Sequence, residues 1–408
     1  MEVTIIQILN AVYKRGIPMR NTENAEIKRA SAQETQIMLS KAKSGYMTVK
    51  DAAKFLKENA KYRTLRDKIM RVAGRDNLQQ RIVDGIAGNH PNMKRDSIQR
   101  KVRGWLNNER FDLFIDTESA IELCFIFRLD LETADAFLAS VTEEGFHWRD
   151  PEQIPMIYCL SAGKYNYPKA VRLRTDILKD IPPVEKSENE LYTGQVREIM
   201  AKIETEDDLR DFITGMAGRL GKRHRTAQRQ FMTFMNLLEN PDHIPHMPKE
   251  KEFTVREVLK TYLHQMMIPN PKEKKQLLLN IAPAQQEILQ SIISGWPNET
   301  ILSKMKRGEI EVGRKTLILL FMATDGGMNS EDDIEDDYIP TRDEIFEDSR
   351  RRMDTMLVNC GYRRLDARNP FDWMILYVLS VDDILEKDAQ MDEILSALLN
   401  NSGQAETE

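Results

Sequence analysis

Residues 78–107 read LQQRIVDGIAGNHPNMKRDSIQRKVRGWLN, and this stretch decides the fold class. Leu78 to Ala87 carries apolar residues at helical spacing, Gly88-Asn89-His90-Pro91 breaks the run, and Arg95 to Asn107 resumes it. On the second run Ile98, Val102 and Leu106 recur every four residues and make an apolar stripe, while Ser97, Gln99, Arg100, Lys101 and Arg103 project elsewhere. The spacing therefore predicts helix, break, helix.

Working outward, the same pattern governs the chain. From Tyr62 to about Leu106 it predicts three helices, broken at Gly74-Arg75-Asp76 and at Gly88 to Pro91. Glu118 to Val141 holds two more, joined at Leu129-Asp130-Leu131, and another pair follows Pro151 and reaches Leu178. Ile181-Pro182-Pro183 and the proline-bearing run Asn240 to Lys251 read as linkers. The expected architecture is all-α: multi-helix bundle units, with a helix-turn-helix-like first unit. Residues 1–60 form a leader of short elements ending in a helix from Val49. Residues 61–180 form the first unit, 190–240 a helical middle segment, and 254–400 a second unit interrupted by an acidic insertion at 325–348. Val3, Ile5 and the Thr48-Val49 neighbourhood leave room for a small sheet in the leader.

An internal repeat supports two related units. Arg149 to Ser161 aligns without gaps with Arg368 to Ser380; Arg, Pro, Tyr, Leu and Ser match at five of thirteen positions, and Asp150 faces Asn369. Asp or Asn can cap a helix and Pro suits its first turn, so each copy is expected to open a helix there. Both copies follow an amphipathic helix ending near Gly145 or Gly361.

Composition bounds the function. Of 408 residues, 41% are hydrophobic and 30% charged, enough apolar side chains for sizeable cores. Cys124, Cys159 and Cys360 each lie in or beside an apolar run and are too far apart for metal spacing, so they read as buried thiols in a reducing compartment. No metal site or cofactor is expected; His243 and His246 sit in a proline-containing stretch. Met1 to Tyr13 lacks the features of a signal peptide, and no apolar run approaches a membrane span, so a cytoplasmic protein without membrane contact is expected. No Gly-x-Ser-x-Gly elbow or His-Glu-x-x-His helix occurs, so an enzyme is not expected.

The net charge of −6 argues against coating nucleic acid along the whole surface, but its distribution is uneven. Residues 61–108 carry 12 positive and 4 negative charges; residues 325–350 carry 2 and 11. The run Arg219 to Arg229 is a second basic cluster. It fails as a phosphate loop, because five residues separate Gly215 from Gly221 and Arg223 stands where Ser or Thr is needed. The acidic insertion lacks the ligand alternation of a calcium loop and reads as an exposed solvating segment, or as a phosphate mimic competing for the basic run. Trp105, Trp148, Trp373, Tyr158 and Tyr377 lie on apolar stripes and read as core.

Ser97-Ile98-Gln99-Arg100-Lys101-Val102-Arg103-Gly104-Trp105-Leu106, followed by Glu118 to Cys124 and Leu129 to Asp135, resembles the lambda-repressor-like (XRE-type) helix-turn-helix regulators. The similarity covers about residues 62–141. It implies a five-helix domain that docks Arg95 to Asn107 in the major groove of double-stranded DNA. Gln99 and Arg100 would lie closest to bases, and Lys94, Lys101 and Arg103 closer to phosphate, with Arg95 and Ser97 completing the surface. Members of the family often dimerise, so a homodimer is a further expectation. The competing reading is a helical protein–protein interaction scaffold whose basic helices are merely solvated.

Overall fold

The computed structural model describes residues 22–43, 47–58, 60–107, 114–142, 144–181, 191, 193–221, 225–240, 252–279, 282–324, 341–381 and 384–399. Among them there are 20 α-helices and no strand, and the described residues are 72% helical. In chain order these are α1 (Thr22–Lys43), α2 (Val49–Glu58), α3 (Leu65–Ala73), α4 (Leu78–Asn89), α5 (Arg95–Leu106), α6 (Thr117–Ile126), α7 (Leu131–Thr142), α8 (Ile154–Ser161), α9 (Tyr167–Lys179) and α10 (Thr193–Met200). They continue with α11 (Glu206–Gly215), α12 (Arg225–Glu239), α13 (Val255–Tyr262), α14 (Pro271–Leu279), α15 (Pro283–Ile293), α16 (Glu299–Lys306), α17 (Arg314–Ala323), α18 (Arg342–Asn359), α19 (Pro370–Val378) and α20 (Ile384–Leu399). None is long and apolar enough to cross a membrane.

Local chemistry explains where many of them start. Thr64 with Asp67, Thr205 with Asp208, Thr254 with Glu257 and Thr341 with Glu344 form reciprocal capping boxes at α3, α11, α13 and α18. In each, the hydroxyl accepts from an orphan amide and the acid accepts from the threonine amide. Asp116, Asn166, Asn298 and Asn369 cap α6, α9, α16 and α19 through side-chain oxygens. The two segments aligned in the sequence differ here. Asn369 and Pro370 open α19, but Asp150 accepts from the amide of Glu152 (3.0 Å) within a turn, and α8 begins at Ile154 with Pro155 in its first turn.

Two hydrophobic cores result. The first runs from Leu65 to Leu220 and is built by α3 to α11; its fully buried members include Ile69, Ile82, Ile98, Ile121, Leu123 and Leu138. The second joins Met38 to Tyr62 with Ala227 to Leu398, around Trp373, Phe231, Phe234 and Phe346. The segment 190–240 is thus shared: α10 and α11 join the first core, and α12 the second. The described part of the leader, from Thr22, is helical. It holds the 22-residue α1, which packs on α3 and α19, and α2, which packs on α20. Val49 starts a helix and no strand; Val3 and Ile5 lie outside the described residues.

Part of the acidic insertion is helical as well. Asp343, Glu344, Glu347 and Asp348 belong to the first turns of α18, where negative charge meets the positive end of the helix. Lys43 pairs with Asp343 and Glu347, and Arg351 with Asp348. Residues 325–340, and His243 and His246, lie outside the described residues. The two halves of the fold meet at an antiparallel bridge between Glu144 and Tyr362, where the amide of Gly145 donates to the carbonyl of Gly361 (3.2 Å).

Candidate nucleic-acid interface

Helix α5 lies on α4 and α3, with a five-residue connection, His90 to Lys94, between α4 and α5. Ile98, Val102, Trp105 and Leu106 form its buried face. Gly85 of α4 lets that helix approach α6 closely: a Cβ there would meet the side chain of Ile126 at 2.7 Å. The connection is pinned from behind. Asn89 Nδ2 donates to Glu122 Oε1 (2.9 Å), and His90 Nε2 lies 3.1 Å from the same oxygen. Burial pushes the Glu122 carboxyl up from its ordinary value, against the opposing pull of Asn89 and His90. Tyr167 of α9 packs edge-on to His90 and donates to Glu118 Oε2 (3.1 Å), joining α9 to the same cluster.

The seven residues expected to meet DNA separate by what they already hold. Lys94, Arg95, Ser97, Arg100, Lys101 and Arg103 are exposed and Gln99 is half-buried. Arg95 pairs with Asp84, whose carboxyl is held below the usual range by hydrogen bonds from Gln80 and Arg95. Lys101 donates to Ser119 Oγ (2.8 Å), lies 3.9 Å from the Asp116 carboxylate and sits over the Trp105 ring. Arg103 Nε donates to the carbonyl of Gln99 (3.3 Å). The side chains of Lys94, Ser97 and Arg100 have no hydrogen bond or ion pair among the described residues.

The surplus of positive charge in 61–108 does not gather on one face. Arg63 is buried in an ion pair with Asp366 (2.8 Å), Lys68 is buried over the Phe114 ring, and Arg81 donates to the carbonyl of Ala73 (2.7 Å). In the second cluster, Arg219, Arg225 and Arg229 all have partners within the fold, and residues 222–224 lie outside the described residues.

A second polar constellation had no sequence signal strong enough to single it out. Asp372, fully buried, takes both guanidinium nitrogens of Arg314 (2.8 and 2.9 Å) and Nη1 of Arg363 (2.8 Å). It also accepts from the amide of Asp366 (2.9 Å). Its only advance sign is position, three residues after the Asn369 cap. Arg314 also donates to the carbonyls of Arg363 and Arg364 (both 3.1 Å), so the cluster ties α17, α19 and the 363–366 turn together. The fold defines an all-α, multi-helix protein. No family model, curated protein or solved structure matches the chain.

Proposed function

We propose that the chain is a DNA-binding regulatory protein of two related helical units that reads double-stranded DNA with α5. The observation that carries the reading is the division of that helix. Its apolar stripe is consumed by α3 and α4, while Arg100, with Lys94 and Ser97 beside its first turn, stands exposed, with no side-chain partner among the described residues. A groove-reading helix needs such a face, one cation free for a base edge and another for phosphate. Arg100 is the leading base contact and Lys94 the leading phosphate contact; Arg95 and Lys101 would first have to exchange Asp84 and Asp116 for DNA.

Relatedness of the units rests on the repeat and on the bridge, where Gly145 lies opposite Gly361 in antiparallel register. Equivalent segments pairing this way are the mark of a two-fold contact, which a homodimer makes with two chains and a duplicated chain makes with one.

The test is salt-dependent binding to duplexes by fluorescence anisotropy. Lys94→Ala is expected to weaken all sequences alike and reduce the salt slope by about 1, whereas Arg100→Ala costs about 1–3 kcal/mol on the preferred site and relaxes preference at one position. Absence of binding to any duplex at about 50 mM salt overturns the reading. A protein-interaction scaffold is the second reading, favoured by Met266 and Leu279, both 72% exposed. It predicts that Met266→Asp with Leu279→Asp abolishes capture of a protein partner that nuclease treatment leaves bound.

A further inference from the structure

The two copies of the repeat make matching contacts to segments that lie in different parts of the chain. Tyr158 of α8 and Tyr377 of α19 occupy the same place in the two aligned segments. Tyr158 donates its hydroxyl proton to the carbonyl of Glu204 (3.1 Å), and Tyr377 donates to that of Met47 (2.7 Å). Each acceptor immediately precedes a threonine that pairs with an aspartate three residues on, at the start of a helix. Thr205 pairs with Asp208 at α11, and Thr48 with Asp51 at α2.

The correspondence continues along both segments. Leu209 and Ile213 of α11 stand as far from Thr205 as Ala52 and Leu56 of α2 stand from Thr48, and all four are 0% exposed. Helix α11 packs on α9, and α2 packs on α20. Arg149 and Arg368, which open the aligned segments, use their carbonyls alike. That of Arg149 accepts from the amide of Gly221 (2.9 Å), beyond α11, and that of Arg368 from the amide of Arg63 (3.1 Å), beyond α2. The helices leading in each carry an ion pair to the unit they close, Arg197 of α10 to Asp135 of α7 and Lys43 of α1 to Glu347 of α18, though these two carboxylates are not at aligned positions.

We propose that the surface of α19 and α20 is a receptor for a threonine-capped helix pair, and that residues 22–63, from the other end of the chain, are its partner. In the first unit the closing pair α10–α11 follows α9 directly. In the second the corresponding pair is delivered from the far side of the first unit, as a strap that closes the C-terminal unit. Chain connectivity contributes nothing local to that contact, so noncovalent complementarity must hold it: the buried faces of α1 and α2, Tyr377 on Met47, Trp373 Nε1 on the carbonyl of Met38 (2.9 Å), and Arg368 on Glu34 (3.0 Å).

The test uses the full chain with a specific protease site inserted at positions 59–60. After cleavage the N-terminal piece is expected to co-elute with the remainder on size exclusion, with the amides of α19 and α20 still protected from hydrogen exchange. In the uncut chain Leu56→Asp is expected to speed exchange in α19 and α20 by about thirtyfold or more, and to leave α8 and α9 unchanged. Tyr377→Phe, which keeps the ring and removes one hydrogen bond, is expected to act in the same direction and more weakly. Separation of the cleaved piece with α19 and α20 still protected overturns the proposal. So does an equal rise of exchange in both units.

Discussion

Asp372 is where one atom's change reaches furthest, because its carboxylate is the shared acceptor of Arg314, Arg363 and the Asp366 amide. Burial pushes this carboxyl up, but the two guanidiniums and their hydrogen bonds outweigh it and hold it below its ordinary value of 3.8. A depressed carboxylate contributes stability that is present above the unfolded value and is lost as pH falls through the folded one. Acid should therefore lower the melting temperature steeply below about pH 4, and less steeply in Asp372→Asn, which lacks the titrating group. At neutral pH that variant is expected to lose about 3–5 kcal/mol in urea unfolding, since it strands a buried cation. Removing both charges, as Arg314→Met with Asp372→Leu, should cost less than the single change.

Glycines on the helices around the candidate interface make opposite predictions at the scale of the element. Gly88 in α4 and Gly104 in α5 have open space where a Cβ would stand, so Gly88→Ala and Gly104→Ala should each add about 0.5–1 kcal/mol by helix propensity alone. Gly85→Leu should lose about 1–3 kcal/mol, since the added side chain meets Ile126 and must wedge α4 from α6. Urea melts of the three variants check the signs. Helices α3 to α9 were legible in the sequence because their signals are local: apolar spacing, a capping Thr, Asp or Asn, and breaks at Gly74 and Pro91. Helix α1 was not, since its mixed charged and polar residues give no clean stripe. Asp150 and Pro151 gave the cue of a helix start that the Asp150 turn to Glu152 overrides. The seven residues of the candidate interface were legible as a polar face, but the capture of Arg95 by Asp84 and of Lys101 by Ser119 depends on neighbouring helices. So does the allegiance of α2 to α20, more than 300 residues away in the chain.

Over the whole molecule, two cores in one chain should melt as two events. Calorimetry is expected to give an enthalpy larger than the van't Hoff value, the sign of more than one cooperative unit. Leu138→Ala should shift one transition and Leu320→Ala the other, each by about 2–5 kcal/mol of stability, both side chains being fully buried. A single transition moved equally by either variant would mean that the contacts between the halves weld the cores into one unit. The three cysteines give an independent view of the same division. Cys124 and Cys159 sit in the first core and Cys360 in the second, all free and buried. Burial pushes the thiols of Cys159 to about 11 and Cys360 to about 12, and Cys124 higher still, so little thiolate exists at neutral pH while the cores stay shut. The chain thus carries its own stopwatches, one set in each half. The order in which a maleimide adds mass to the Cys124 and Cys360 peptides reads out which half breathes first, with no cysteine introduced.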